Sequence, residues 1–537
     1  MLTRYLLMLA TVLGLAWCRA DSLHAAGIPD PEAALKEVVQ FFLGCPSWGA
    51  AAKTNICPMD DQAAPAPEPT EERAATPKKE AWERALGGQE AARAHVRARL
   101  AGWPQRLLVE KGTLPQANAE FAWRVAADTW RGLDAFTDRE NGLPIDNVRL
   151  ATSARDQSDP RVGDYTSGTN IGLFLTAVVA ARELHILDDA AAVERIRRVL
   201  GTLEHLEMYR GFLFNYYDTT SLEPTSHFIS FIDSSWLAAG LMVARMAFPE
   251  LAEPCTKLLD QMDFSFFYDP ITRQVSHGYY TNPGKPSLYH YGTFYTEARL
   301  GSLIAIGKGE IPERHWFEMV RTFPGECAGQ SRTPQAIKLK TVRGHTFSAG
   351  YYEWNGVQYV PSWGGSMFEA LMPTLVLDEI EYAPKSLGIN DRIHAEVQDR
   401  YAVDDRGYRV WGISPCSSPA TGLYAEYGIH VLGSRGYVVG PVTPHAAALA
   451  LSVRPEAGIA NLRALADLYD VYGDYGFYDA VDPRSGEVAY AYLALDQSML
   501  FIALANHLTN GQVQKRFASD PIVQKVLPMI GEEDFFN

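Results

Sequence analysis

The chain has 537 residues, 47% hydrophobic, 11% aromatic and 21% charged. That is the composition of a folded globular chain with room for one large or two ordinary domains, not of a disordered one. Its 48 Lys and Arg against 64 Asp and Glu give a net charge of -16, and no long basic run offers a surface to a phosphate backbone, which argues against nucleic acid as a partner.

At the N-terminus, Arg4 and the apolar run at 6–17 read as an export signal ending at Cys18-Arg19-Ala20 or at Ala25-Ala26. The run is too short to span a bilayer and no later one is long enough, so the expected location is the periplasm or the medium. Cys18 follows Leu15-Ala16-Trp17, a loose lipoprotein box in which the bulky Trp17 argues against lipidation. Residues 27–59 form a small segment whose Cys45 and Cys57 could pair in an oxidising compartment, whereas Cys255, Cys327 and Cys416 read as buried thiols. Residues 60–80 are rich in Pro, Ala and charge and read as a linker. The expected organisation is a signal peptide at 1–26, the small segment at 27–59, the linker at 60–80 and the main domain at 81–537.

That domain reads as helical. Candidate helices run over 120–133, 170–187, 191–207, 233–247, 251–262, 289–307, 363–377, 445–451, 455–469 and 489–506, several with apolar residues at i, i+3, i+4 and i+7 and with Asp, Asn, Thr or Pro at their starts. GLFLTAVVAA and SMLFIALA are apolar nearly all round, as an inner layer requires. Between them lie aromatic, Gly/Pro-rich loops: RGFLFNYYDTTSLEP, SFFYDPITRQVSHGYYTNPGKPS and FSAGYYEWNGVQYVPSWGG. An all-helical toroid of hairpins, its loops walling a cleft at one end, fits better than a four-helix bundle or a parallel sheet.

GxSxG, HExxH, P-loop and GxGxxG motifs are all absent from the sequence, and the thirteen histidines are dispersed. The acidic stretch from Asp156 through Asp159 to Asp164 lacks the ligand alternation of an EF-hand and reads as a solvated loop. Carboxylates inside apolar and aromatic stretches are the candidates for catalysis, because an apolar wall lets a carboxyl hold its proton near neutral pH. Glu297 is expected on the apolar face of a helix with Phe294, Leu300, Gly301 and Ile304, as a proton donor or else as an ion-pair partner of Arg299. Asp496 is placed on its helix beside Tyr492, Met499, Leu500 and Ala503, with a helix-bonding role through Asp496 and Gln497 as the alternative.

Glu369 is a substrate ligand or a charge favoured by a helix N-terminus, and Asp479 and Asp482 are sugar ligands or turn formers. Asp233 reads as an N-cap or a ligand, and Asp218 and Glu223 as loop residues within reach of substrate. Tyr291, Trp354, Trp363, Tyr424, Tyr427, Tyr475 and Tyr478 are candidate sugar platforms, packing being the alternative.

The segments TSGTNIGLFLTAVVAARELHIL, FNYYDTTSLEP, FIDSSWLAAGL, YTEARLGSLIAIGKGEIPERHWF, PSWGGSMFEALMP, PEAGIANLR, YGFYDAVDP and YLALDQSMLFIALAN together resemble the glycoamylase-like domain of bacterial β-1,2-glucan-cleaving glycoside hydrolases and of cyclic β-1,2-glucan synthases. The resemblance covers residues 120–506 in consistent order. It implies an (α/α)6 barrel, no cofactor or obligatory metal, and a glucan oligosaccharide or polysaccharide as the partner.

Carried over by the resemblance, Glu297 in YTEARL is the proton donor and Asp496 in YLALDQ the base, with Asp479 in GFYDA in reserve; Ser498-Met499 departs from the Gly-Pro common at that place. The expected mechanism keeps Glu297 protonated and Asp496 ionised by polar neighbours, with inversion at the anomeric carbon. The alternatives are a non-catalytic polysaccharide-binding or export-assembly protein and a transglycosylase on the same fold.

Overall fold

The computed structural model describes residues 89–152, 160–324 and 330–537, all within the compact unit Cys57–Asn537. The expected signal peptide, small segment and linker, Cys18, Cys45, Cys57, Cys327 and the stretch from Asp156 to Asp159 lie outside the described residues.

In chain order the longer helices are α1 Gln89–Arg99, α2 Asn118–Ala135, α3 Gly168–Glu183, α4 Asp189–Leu203, α5 Phe231–Ala247, α6 Ala252–Gln261 and α7 Arg299–Lys308. They continue with α8 Met367–Leu371, α9 Leu387–Arg400, α10 Pro444–Leu449, α11 Pro455–Leu468, α12 Ala494–Thr509 and α13 Gln512–Ala518.

Two kinds of helix alternate. In α3 every residue from Gly168 to Ala181 is buried, so it must be surrounded by protein. In α4 only the stripe Ala192, Val193, Ile196, Val199, Leu200 and Leu203 is buried, which is the face it lays on α3. Likewise α6 packs on α5, α9 on α8 and α11 on α10. The inner helices touch one another in series: α12 on α3, α3 on α5, α5 on α7, and α8 on α10 on α12. Arg299 at the start of α7 closes the remaining step, donating to the Glu369 and Ala370 carbonyls of α8 at 3.4 and 2.6 Å.

These contacts also fix direction. Gly168 lies against the backbone of Asp233, Gly172 against Trp236, and Gly301 against Phe231 and Ser235, so α3, α5 and α7 run parallel with their N-termini side by side. Asp146 ties the ends of the series together, accepting from Asn170 at 2.8 Å through its side chain and from the Ala494 N–H at 2.8 Å through its carbonyl. Gly172 and Gly240 let α3 and α5 approach so closely that a Cβ on Gly172 would sit 2.1 Å from the Trp236 carbonyl oxygen.

Short antiparallel ladders cover the N-terminal end of these helices: Tyr165–Ser167 pairs with Tyr216–Asp218, Asn147–Arg149 with Ala491–Leu493, Cys416–Ser417 with Tyr424–Ala425, and Ala480–Val481 with Val488–Ala489.

Three expectations are corrected. The stretch FSAGYYEWNGVQYVPSWGG is not only loop: Ala336–Val342, His345–Trp354 and Val357–Tyr359 form a three-stranded sheet in the register Val342↔His345 and Trp354↔Val357. Its two turns, Arg343-Gly344 and Asn355-Gly356, have positive φ at both positions, as tight hairpins require. The helix expected over 289–307 begins only at Arg299, because Thr293 is bridged to Val320 and that pairing holds the preceding backbone extended. The helix expected over 363–377 is one turn, ended by the 3-10 turn Met372–Leu375 with Pro373 in its first positions. Cys255 and Cys416 are buried free thiols, as expected.

Candidate functional site

Because the inner helices are parallel, their first turns gather the candidate carboxylates at one end of the ring. Glu297 stands in the turn before α7 and is half-buried, not on the apolar stripe of a helix; the Leu300 N–H donates to its carbonyl at 3.1 Å. The cation considered as its partner is held elsewhere. Arg299 makes a two-pronged pair with Glu379 at 2.8 and 2.7 Å, and Tyr295 donates to Asp391 beside it at 2.6 Å.

Glu369 completes a capping box at the start of α8. Its buried carboxylate accepts from Ser362 Oγ, the Gly364 N–H and the Ser366 hydroxyl, each at 3.0 Å, and burial nevertheless raises its pKa. Asp233 is not the N-cap of α5, which is Ser230. It instead accepts from the Thr169 hydroxyl at 2.7 Å, fastening α5 to α3. Asp218 binds the N–H groups of Thr220 and Ser221 at 2.9 and 2.8 Å, a turn-forming use.

Asp479 and Asp496 lie together, fully buried. Asp479 is not a turn former; that role falls to Asp482, which accepts from the Arg484 N–H at 2.9 Å. Asp479 accepts from the Ser417 N–H at 2.6 Å and brings a carboxylate oxygen within 4.8 Å of one of Asp496. Burial raises both, but Asp496 goes well above the ordinary range, driven further by the charge of Asp479. The pair therefore shares one proton, carried by Asp496, and Asp479 is the ionised member. The expectation of an ionised Asp496 is corrected: it has no backbone donor to stabilise a charge, whereas Asp479 has Ser417.

His445, the second residue of α10, joins them with Nδ1 3.6 Å from Asp496 Oδ2. One donor atom from each of the three lies within 4.8 Å of the others, and burial keeps His445 neutral by lowering its pKa to about 3.

Among the aromatic candidates, Trp354 and Trp363 are buried, Trp354 packing on Tyr401 and Arg400. Tyr478 is fully buried and donates to the Leu107 carbonyl, so it is a core residue and not a platform. Tyr291 is half-buried, with its ring 5.3 Å from His277. Gln497 is buried and donates to the Phe477 carbonyl at 3.0 Å. Tyr424 alone among them has a largely open face, 48% exposed, while its hydroxyl feels first burial and then the charges of Asp496 and Asp479. It stands between solvent and the aspartate pair.

Sequence reasoning missed Asp146, His445 and Glu426. Asp146 lies outside every apolar stretch that flags a carboxylate, and His445 is a single residue in PHAAAL. Glu426 sits two residues after Tyr424 in LYAEYG, within a segment with no catalytic spacing. It is exposed as a residue, yet its carboxyl is crowded: burial first, then the charge of Glu369, push its pKa up to about 7.

A family model described as "Putative glucoamylase" matches residues 336–521, and a second, described as a protein of unknown function, matches 124–269. The chain is 25% identical over 560 aligned residues to the cyclic β-(1,2)-glucan synthase NdvB of Rhizobium meliloti, covering 76% of this chain and 18% of that protein. It thus spans less than a fifth of that relative's length. The structure resembles the endo-β-1,2-glucanase of Chitinophaga pinensis in complex with sophorotriose and glucose (TM-score 0.58, 18% identity, 77% of this chain and 98% of that one). It also resembles the β-1,2-glucanase of Parabacteroides distasonis (TM-score 0.61, 18% identity, 78% and 61%). A third likeness is to a Glu-to-Gln mutant of the Talaromyces funiculosus endo-β-1,2-glucanase with β-1,2-glucan (TM-score 0.61, 13% identity, 77% and 89%). The resemblance to the glycoamylase-like domain read from the sequence is borne out, and the chain has the fold that these glucanases share.

Proposed function

We propose that the protein is an exported glycoside hydrolase that cleaves a bacterial β-glucan, β-1,2-linked, on an (α/α)6 barrel. The observation that carries this reading is the convergence of the first turns of α3, α5, α7, α8, α10 and α12, with Glu297, Glu369 and the Asp479–Asp496 pair among them. The names of the relatives support the linkage by analogy of fold.

In this mechanism Glu297 protonates the glycosidic oxygen while water attacks the anomeric carbon from the opposite face, giving inversion. The proton lost by water passes to Asp479, the ionised member of the pair. Asp479 and Asp496 are each only 1% exposed, so that proton travels through an intervening hydroxyl of the substrate or of Tyr424.

The test is reducing-sugar release from linear β-1,2-glucan, with Glu297→Gln as control and the anomer of the first product read by NMR. Release that Glu297→Gln abolishes, with an inverted product, supports the reading. Binding without release from any glucan replaces it with a non-catalytic binding protein. Transglycosylation is a second reading, favoured by the 25% identity to a cyclic glucan synthase; products longer than the substrate would establish it.

A further inference from the structure

The short segment at 532–535 is fastened along its whole length. Glu532 pairs with Arg343 at 2.6 Å, and Glu533 takes two bonds from Arg321, at 3.0 and 2.8 Å. Lys340 Nζ donates to the carbonyls of Asp534 and Phe535, and the Phe535 N–H donates to the Lys385 carbonyl at 3.1 Å. Arg321 and Glu533 are almost wholly buried. In such a pair the loss of either partner strands a charge in the interior, so the geometry is held firmly.

From Arg321 the contact continues to the turn that bears Glu297. The guanidinium carbon lies 3.6 Å from the centroid of the Phe294 ring. Phe535 and Trp316 meet that ring edge-on, with centroids 5.9 and 4.8 Å away, so Phe294, fully buried, cannot shift without losing one of three contacts. Arg321 Nη1 also donates to the Trp316 and Met319 carbonyls, both at 2.7 Å, which fixes the backbone leading into Val320. Val320 grips the residues on both sides of Thr293: its N–H donates to the Gly292 carbonyl at 2.7 Å, and its carbonyl accepts from the Phe294 N–H at 3.0 Å. One guanidinium thus holds the ring of Phe294 directly and its backbone through Val320, three residues before Glu297, and Glu533 balances its charge.

We propose that Glu533 and Phe535 are positioning residues for Glu297: acting through Arg321 and Phe294, they fix the turn from which Glu297 reaches the glycosidic oxygen. Arg299 secures the other end of that turn, at the Thr296 carbonyl and Glu379, and leaves the end from Gly292 to Phe294 to Val320 and Arg321. A proton donor must come within hydrogen-bond reach of its acceptor, about 2.6–3.2 Å, and a misplacement of about 1 Å costs on the order of a hundredfold in rate. Sugar contacts along the rest of the cleft do not depend on this end of the turn, so its displacement lowers kcat and leaves affinity alone.

The inference rests on the reading of Glu297 as proton donor to a glucan, and two measurements separate the fates of the two. The first is kcat and glucan affinity on linear β-1,2-glucan, taken well below each Tm. Glu533→Gln and Phe535→Leu each lower kcat by about tenfold or more with affinity unchanged, whereas Glu532→Gln, which loses only the partly exposed pair with Arg343, keeps the kcat of the unmodified protein. A purely structural role lowers Tm and spares the kcat of the folded protein. Unchanged kcat in Glu533→Gln and Phe535→Leu, an equal loss in Glu532→Gln, or a loss of affinity in place of kcat overturns the proposal. Should Glu533→Gln fail to fold, Phe535→Leu decides alone. Turnover that survives Glu297→Gln overturns the proposal with the donor assignment and spares the glucan reading.

The second measurement, amide hydrogen exchange, needs no substrate. The Phe294 N–H bonded to Val320 and the Leu300 N–H bonded to the Glu297 carbonyl report on the turn, and the Asn170 N–H bonded to Ser167 Oγ is the reference on α3. In Phe535→Leu and Glu533→Gln the turn amides lose about tenfold in protection relative to Asn170. An unchanged ratio overturns the proposal whatever the substrate. A lowered ratio in a protein that neither cleaves nor binds glucan overturns the positioning of a donor together with the glucan reading, and leaves the link from Glu533 to Phe294 standing.

Discussion

Arg299 and Glu379 meet through two parallel hydrogen bonds of 2.8 and 2.7 Å, and neither side chain has any exposed surface. The guanidinium also reaches the Thr296 carbonyl at 3.0 Å and the Ala370 carbonyl at 2.6 Å. One buried cation thereby fixes the turn that bears Glu297 to the helix that bears Glu369. A planar fork can do this and an ammonium cannot.

Arg299→Met leaves Glu379 buried without its cation, and we expect a loss of about 3–5 kcal/mol in urea unfolding. Glu379→Gln in the same background should recover part of that loss, because the stranded charge is removed. A single substitution costing under about 1 kcal/mol would contradict the role given to the pair.

Replacing Asp496 by Asn imitates its protonated form. Asp496 is raised well above its ordinary pKa by burial and by Asp479, so its favourable contribution exists below the unfolded-state value and disappears as pH climbs through the folded one. Asp496→Asn should match the unmodified protein in Tm near pH 4 and exceed it at pH 8. The same melts repeated with a chelator discriminate between occupants: a chelator-dependent Tm would mean that His445, Asp479 and Asp496 hold a cation and not a proton.

Acid should weaken the protein well above the usual carboxylate range. His315, His394 and His445 are buried, and burial lowers them to about 4, about 3 and about 3. The unfolded chain takes up these protons from pH 6.5 downward while the folded one refuses them, so each group costs stability as pH falls, roughly 2 kcal/mol at pH 5. Urea midpoints measured between pH 7 and 5 check this, with His445→Asn expected to show a smaller decline. An unchanged midpoint over that interval would contradict the neutral burial of all three.

Gly172→Ala should cost about 1–3 kcal/mol, because the new methyl carbon would lie 2.1 Å from a backbone oxygen of α5 and only separation of the two helices relieves it. Thermal unfolding reads the effect, and Gly201→Ala, where nothing lies within 4 Å, is the control.

The helical pattern was legible wherever burial leaves a periodic or all-round apolar signature, as in α3, α4, α5 and α12. It failed where tertiary pairing decides. The Thr293–Val320 bridge delays α7 by about three turns relative to the expected start, and α9, LGINDRIHAEVQDR, buries Asn390, Asp391 and His394 with too few apolar residues to announce itself. The sheet at 336–359 carries an Asn-Gly turn between aromatic runs, a hairpin mark that its Gly- and Pro-rich surroundings make look like loop.

At the site, apolar surroundings did identify Glu297, Glu369, Asp479 and Asp496 as unusual. They could not order the protons of the aspartate pair, because the Ser417 N–H that decides it comes from a distant segment. Glu426 stayed hidden for a related reason: its neighbours Glu369 and Tyr437 are brought to it only by folding.

Asp146 joins the beginning of α3 to the beginning of α12, so the earliest wall of the ring is completed by nearly the last helix to be synthesised. During translation α3 emerges with one flank bare and waits for most of the remaining chain before that side is covered. A nascent polypeptide stalled anywhere before α12 has no Asp496, no partner for Asp479 and no closed wall. The contact that closes the ring can therefore form only at the end of synthesis, and the flank of α3 that α12 covers stays bare until then.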